Sequence, residues 1–258
     1  MVAEKVCTVD RSDSKRIQNP YGNQPTATYQ AVAGTYSVTA WTVTDDTLTV
    51  ADEVIFAEHV FGFEEFFANF DISASRLDEM MYAVAFGIDK FVINGLCEDA
   101  TSTYTTPVGG FTNASNWTTI LANLISKVAG YSDNYKGQFL IVENTDLVGI
   151  INSQMATGFN FADTALRNGL VSNQAGVDIY VIRTGTFVDD TLGTTTFTNS
   201  GKRVFGVKGV ATYASPRGLQ YEEKAITLKT GKEIVVWGLV GFKAWAQRAA
   251  LLVEITIA

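Results

Sequence analysis

The chain has 258 residues, of which 47% are hydrophobic and 12% aromatic, so it is long and apolar enough to fold around a substantial core. Only 18% of the residues are charged, against about 25% in a typical soluble domain, which indicates a large uncharged polar surface or extra surface buried against partners. The net charge of −8 argues against binding nucleic acid through phosphate contacts, but it does not exclude a protein that encloses nucleic acid.

The first 20 residues mix charges of both signs with polar residues and show no periodicity. We therefore predict an extended N-terminal arm, ordered only by something that it contacts. The arm has no apolar stretch typical of a secretory signal. Cys7 and Cys97 are too few for a disulfide framework, so we expect free thiols in a reducing compartment.

The stretch TYSVTAWTVTDDTLTVADEVIF, residues 35–56, alternates as β-strands do and is rich in residues that favour strands. The sequence Thr44-Asp45-Asp46-Thr47 has turn chemistry, so it predicts a β-hairpin that turns there. Neither side of this hairpin carries a strong apolar face. An isolated two-stranded hairpin is marginally stable in water, so this one must rest on another surface, its own or that of a neighbour.

The clearest helix follows, in DISASRLDEMMYAVAFGIDKFVINGL. Ser75 and Asp78 resemble a capping box, and Gly95 stands where a residue just beyond a helix end would. The helix is predicted to run for about 20 residues, or about 30 Å. Its apolar positions fall three or four residues apart, at Leu77, Met80, Met81, Val84, Ile88, Phe91 and Val92.

A Thr- and Gly-rich stretch at 99–115 has the composition of a domain boundary. An alternation of helices and strands comes next, with amphipathic helices after 116 and after 144 and short apolar strands at 137–142 and 177–185. From Pro216 onward the pattern predicts mainly strands, and the chain ends on one, ALLVEITIA. The predicted fold class is α+β.

Catalytic and metal-binding patterns are missing from the sequence. The single histidine, His59, has Glu58, Glu64 and Glu65 nearby, but neighbours in an extended chain point apart and one histidine rarely makes a zinc site. Neither cysteine has a histidine at a recognisable spacing, and no nucleophile elbow or phosphate-binding loop occurs. We therefore expect no enzyme, no metal and no cofactor.

The order of the predicted parts resembles that of the major capsid protein of tailed bacteriophages, which has the HK97-like fold. An arm comes first, then a projecting hairpin, a long amphipathic helix, an α/β insertion, and strands that return to the first unit. The ending is similar too, because 238–243 reads Gly-x-x-Gly-aromatic-Lys and a short apolar segment closes the chain. The resemblance covers nearly the whole chain.

The resemblance implies five segments. They are the N-terminal arm (1–20), an extended β-hairpin called the E-loop (21–58), the first part of the P-domain with the spine helix (59–109), the α/β A-domain (110–215) and the β-rich P-domain return strands (216–258). In the family the E-loop lies on the neighbouring subunit, which would supply the surface that the predicted hairpin lacks.

The implied function is self-assembly, through hexamers and pentamers, into the icosahedral or prolate head shell of a phage that encloses double-stranded DNA. The implied partners are a separate scaffolding protein, a portal and cement or decoration proteins, with no membrane, and the implied location is the virion, assembled in the host cytoplasm. An encapsulin-like compartment shell is the alternative, followed by a β-rich binding module. Crosslinking through an E-loop lysine is excluded, since residues 17–75 contain no lysine or arginine.

Charge segregation suggests which residues meet between copies. Residues 41–100 contain thirteen acids and two bases, whereas 201–258 contain nine bases and four acids. These segments could pair within a chain, between copies, or remain as two solvated faces. Our hypothesis for the contact between copies involves Tyr36, Trp41, Asp45 and Asp46 on one side and Arg203, Lys208 and Lys243 on the other.

Overall fold

The computed structural model describes residues 1–22, 32, 34, 42–61, 72–129, 137–156, 170–174, 176–226 and 230–258. Within these residues the helices are α1 (Ala3–Val6), α2 (Ile72–Glu98), α3 (Trp117–Val128) and α4 (Leu147–Ala156). Short 3₁₀ turns occupy Gly110–Thr112, Ala114–Asn116 and Ala249–Leu251. The strands are β1 (Thr8–Asp10), β2 (Arg16–Gly22), β3 (Val43–Thr49), β4 (Asp52–Phe61), β5 (Ser102–Thr105), β6 (Gln138–Glu143), β7 (Leu170–Gln174), β8 (Val177–Ile182), β9 (Asp189–Leu192), β10 (Thr195–Thr198), β11 (Lys202–Val207), β12 (Ala211–Ala214), β13 (Leu219–Ala225), β14 (Gly231–Ala244) and β15 (Leu252–Thr256).

A five-stranded sheet is built around the long strand β14. Antiparallel to it run β4, β13 and β12, and β1 adds to β12 in parallel. Alternate side chains of β14 face the core, so Ile234, Val236 and Val240 are fully buried while the residues between them are partly exposed. This alternation is typical of a sheet with one face covered by helix.

A six-stranded sheet has the order β5-β15-β11-β6-β8-β7 and contains both parallel and antiparallel pairs. Every residue of β6 is buried, which explains its unbroken apolar run between Gln138 and Glu143. The last strand, β15, lies between β11 and β5 in this sheet and not beside β13 and β14. The five predicted segment boundaries stay a prediction, and this strand departs from them.

Helix α2 packs between the two sheets and contacts β4 and β14 on one side and β11 and β15 on the other. Its 27 residues correspond to about 40 Å, longer than the helix of about 20 residues that the sequence predicts. Gly95 does not end the helix, which continues to Glu98. The Phe242 ring lies against the Gly95 Cα, and a Cβ there would come within 2.4 Å of the ring. By length and composition α2 is apolar enough to cross a membrane, but more than half of its apolar stretch is buried inside the protein.

The N-terminal arm is ordered by contacts with its own chain. Ala3 and Val6 of α1 are buried, and the Asp89 carboxylate of α2 accepts hydrogen bonds from the backbone N–H groups of Val2 and Ala3, both 2.9 Å. Strand β1 then pairs with β12. Sequence periodicity could not reveal this because a four-residue helix and a three-residue strand are too short to show one.

Candidate assembly surface

A two-stranded ribbon is formed by β2 and β3, and most of the residues that connect them, 23–42, lie outside the described residues. Its strands pair antiparallel from Arg16 opposite Thr49 to Gly22 opposite Val43. Beyond that last pair, the side chain of Val32 is fully exposed. Residues 23–42 contain no charged side chain at all. The distal ribbon therefore presents an uncharged sequence whose Val32 is not covered by its own chain.

The predicted turn at Thr44-Asp45-Asp46-Thr47 is wrong, since these residues lie inside β3 and pair with β2. The turn preference of these four residues is outweighed by the backbone hydrogen bonds that they form with the partner strand β2. The strand alternates as β-structure requires, with Asp45 exposed and Asp46 and Leu48 buried. The ribbon therefore begins at Arg16, inside the segment predicted as the arm.

The ribbon base is anchored to the five-stranded sheet by polar and apolar contacts. The Lys243 ammonium of β14 lies 2.5 Å from Asp46 Oδ1 and donates to the Thr47 carbonyl at 3.1 Å. The Ala246 N–H donates to Asp46 Oδ2 at 3.0 Å. A small apolar cluster lies beside this pair and comprises Leu48, Val50, Ala214 and Trp245, with Ile17 and Leu239 packed against it.

The electrostatics of this anchor favour the charged form of Asp46. Burial alone would raise the pKa of this carboxyl. The hydrogen bond from the Ala246 N–H and the Lys243 ammonium outweigh that effect and hold the pKa below its ordinary value. Asp46 is therefore an ionised, internally paired residue. It is not free to meet a base of another copy in this conformation.

Arg203 was predicted to contact another copy, and that contact stays a prediction; within its own chain its side chain is only 5% exposed. Its Nε lies 2.5 Å from Asp146 Oδ2, its Nη2 lies 3.1 Å from Glu143 Oε2, and its guanidinium packs over the Phe187 ring. Glu143 ends β6 and Asp146 precedes α4, so Arg203 ties the six-stranded sheet to a helix. A basic residue within a strand gives no sequence signal that its counter-charge is internal.

The remaining predicted contact residues are distributed differently. Lys208 forms an ion pair with Asp178 of β8, and Lys243 pairs with Asp46, so both bases already have acidic partners in their own chain. Asp45 is exposed on β3, and its contact with another copy stays a prediction. Tyr36 and Trp41 lie outside the described residues.

An apolar surface that the sequence analysis missed lies on the outer face of β4 and β14. Ile55 is 57% exposed and stands directly opposite Trp237, so both side chains share one face of the sheet. Beside them is a cavity of about 450 Å³, lined among others by Val50, Trp237, Leu239, Lys15 and Arg217. The run Val54-Ile55-Phe56 was the available signal, since consecutive apolar residues in one strand indicate cover on both faces.

His59 lies on β4, half exposed, with its Nε2 4.0 Å from Glu233 Oε1 and its ring edge-on to Phe61. Over the part of the chain that the structure describes, no group of three or more histidine, cysteine or acidic side chains could hold a metal ion. Glu64 and Glu65, considered with His59 in the sequence, lie outside that part.

Comparison with known proteins places this architecture. No protein-family model matches the chain, and no curated protein matches it. Solved structures do. The mature capsid of bacteriophage PhiM1 matches with a TM-score of 0.73 and 11% identity, over 99% of this chain and 86% of the other.

Two further structures illustrate the range of the likeness. The capsid of the cyanophage P-SCSP1u matches with a TM-score of 0.71 and 12% identity, over 98% of this chain and 86% of the other. A virus-like particle from Pyrococcus furiosus matches with a TM-score of 0.62 and 11% identity, over 98% and 91%. These matches over nearly the whole chain show that it has the α+β HK97-like capsid fold.

Proposed function

We propose that this chain is a major capsid protein that assembles with its own copies into the head shell of a tailed bacteriophage around double-stranded DNA. The observation that carries the proposal is the ribbon. Its base is fixed by Asp46, Lys243 and the Trp245 cluster, while its distal part is uncharged and leaves Val32 uncovered. A rigidly anchored, uncovered ribbon is suited to lie on an identical neighbour.

The exposed outer face of β4 and β14 also supports assembly of this chain with its own copies. A ten-residue edge strand whose Ile55 is exposed beside Trp237 is a surface that proteins normally cover. Covering it in an assembly also accounts for the low proportion of charged residues in the chain. We infer a structural and not an enzymatic role, with hexamers and pentamers as the assembling units.

The remaining parts of the proposal follow from the capsid role. We expect a separate scaffolding protein that sets the size of the shell, and a portal through which DNA enters. Cement or decoration proteins are expected because lysine crosslinking through the ribbon is excluded by sequence. The shell would form in the host cytoplasm and remain in the virion.

The test is electron microscopy and size-exclusion chromatography of the expressed protein beside a ribbon-shortened variant. In that variant the dipeptide Asn-Gly replaces residues 23–42, so that only these two residues connect Gly22 to Val43. Gly22 and Val43 are cross-strand partners, so a two-residue turn closes the hairpin without strain. The buried residues Asp46, Leu48 and Val50 are retained. We expect shells or capsomers from the full chain and folded, unassembled protein from the variant.

Two results would contradict the proposal. One is a full chain that stays a monodisperse monomer under all assembly conditions, including with co-expressed scaffolding protein. The other is a shortened variant that assembles as well as the full chain, which would remove the ribbon from the contact. Equal urea midpoints for the two proteins would show that the ribbon base survived the replacement.

An encapsulin-like compartment is the second candidate, and the likeness to a virus-like particle favours keeping it. The net charge of −8 is compatible with either content. Particles purified from the natural source distinguish the two. Nuclease-resistant double-stranded DNA inside indicates a phage head, whereas a defined protein cargo without DNA indicates a compartment.

A further inference from the structure

The ribbon and the five-stranded sheet are joined at an elbow, which is formed by Val50 and Ala51. Strand β3 pairs with β2 before the elbow, and β4 pairs with β14 after it, so the chain changes partner there. The direction in which the ribbon leaves the molecule depends on the conformation of these two residues. The first residue after the elbow is Asp52, which is 8% exposed.

Asp52 binds the turn of a hairpin that belongs to a different part of the molecule. The Thr194 N–H donates to Asp52 Oδ1 at 2.6 Å, and the Thr194 hydroxyl donates to Oδ2 at 3.2 Å. Gly193 has φ +64°, and a Cβ there would come within 2.2 Å of Asp52 Oδ1. The turn therefore needs glycine both for its backbone conformation and for its closeness to the carboxylate.

This hairpin, β9–β10, leaves from β8 and returns to β11, both strands of the six-stranded sheet. Its base is fixed to α2 by Asn94. The Asn94 side chain donates to the Thr186 carbonyl at 2.8 Å and accepts from the Val188 N–H at 3.2 Å. Farther along, Phe197 packs edge-on to Phe91 of α2. The hairpin thus runs along the helix from the six-stranded sheet to the elbow.

We propose that Asp52 and the Gly193–Thr194 turn form a latch that fixes the direction of the ribbon relative to the six-stranded sheet. With the latch closed, the elbow is held from both sides, by the ribbon base and by the β9–β10 hairpin. With the latch open, the elbow keeps only the ribbon base. The inference goes beyond the proposed function, since it concerns one chain and is tested without reference to a shell.

The test measures the angle through a distance. Spin labels are placed on Thr44→Cys in β3 and Thr103→Cys in β5, both exposed positions, and the sample is diluted with unlabelled protein so that distances between copies do not contribute. Cys7 and Cys97 are buried, and labelling of the unsubstituted chain measures any background from them. We expect one narrow distance distribution in the latched chain.

Two variants open the latch from opposite sides. Asp52→Ala removes both acceptors, and Gly193→Ala introduces a methyl group against Oδ1. In each we expect the distance distribution to shift or broaden and the Thr194 amide to exchange roughly tenfold faster or more, because a buried hydrogen bond to a charged acceptor is lost. The distance distribution of the double variant should be no broader than that of either single variant, since both substitutions break the same contact.

The matched control is Glu53→Ala, an exposed acidic residue next to Asp52 on the same strand, which should leave both measurements unchanged. If Asp52→Ala does not fold, the Gly193→Ala variant by itself tests the latch, because it leaves the elbow sequence intact. Faster Thr194 exchange with an unchanged distance distribution would overturn the proposed coupling. Unchanged Thr194 exchange in Asp52→Ala would show that the latch is not closed in solution and would equally overturn it.

Discussion

The N-terminal arm and the ribbon are both extended polar segments, but the protein holds them differently. The arm is covered by its own chain, with α1 against Asp89 and β1 beside β12. The ribbon is fixed only at its base, and Val32 in its distal part is uncovered. The apolar cover of the two paired strands is confined to the base cluster, so the ribbon and not the arm is the segment that we expect to need a neighbour.

One aspartate anchors each segment, Asp46 in the ribbon base and Asp89 at the arm, and the two differ in their electrostatics. Asp46 in the ribbon base has an ammonium and a backbone N–H as partners, and its pKa lies below the ordinary value. Asp89 has two backbone N–H groups as partners, the positive charge of the N-terminus nearby and the smaller opposing effect of the negative charge of Glu4. Burial raises its pKa, and the hydrogen bonds only partly offset that. A carboxylate thus strengthens an anchor most when a counter-charge contacts it directly, as Lys243 contacts Asp46.

The largest effect is expected from removing the apolar part of the ribbon base. Trp245→Ala deletes a side chain that is 6% exposed and whose indole N–H donates to the Thr212 hydroxyl at 2.9 Å. We expect a loss of about 3–5 kcal/mol in the free energy of unfolding, measured by urea denaturation. Tyr82→Ala on α2, where the side chain is 74% exposed, is the control and should change stability by less than about 0.5 kcal/mol. A small effect of Trp245→Ala would show that the base is not a packed anchor.

The second effect concerns the charged part of the same base. Asp46→Ala leaves the Lys243 ammonium and the Ala246 N–H without their acceptor, and we expect a loss of about 1.5–3 kcal/mol at pH 7. Because the folded pKa of Asp46 is depressed, its contribution is complete above the ordinary aspartate pKa. It is lost as the pH falls through the lower folded pKa. The stability difference between wild type and Asp46→Asn should therefore shrink on acidification, and a pH-independent difference would contradict the ion pair.

The smallest effect is expected at the arm and has the opposite sign with pH. Since the folded pKa of Asp89 is raised, its contribution is complete below the ordinary aspartate pKa and is lost as the pH rises through the folded value. Wild type should lose stability relative to Asp89→Asn between pH 4 and pH 7, as measured by urea denaturation at each pH. The two aspartates would then respond to pH in opposite directions. A parallel response would mean that their environments do not differ as described.

Much of the architecture could be predicted from the sequence, because long periodic segments signal their structure locally. The helix around Leu77 to Val92, the buried strand at 137–142 and the strand-rich ending all appear in the structure. The individual contacts could not be predicted in the same way. The turn chemistry at 44–47 and the glycine at 95 are local signals that the tertiary partners β2 and Phe242 override.

By itself, the sequence determined the order of arm, hairpin, long helix and α/β insertion, the absence of a crosslinking lysine in the ribbon, and the shortage of charge. These depend on composition and on periodicity, which act along the chain. Only the tertiary structure decided that Asp46 pairs with Lys243 of its own chain, that Arg203 is buried between Glu143 and Asp146, and that the last strand joins the six-stranded sheet. Each of these joins residues far apart in sequence, and the free energy of such a contact depends on burial and partner geometry that no local pattern carries.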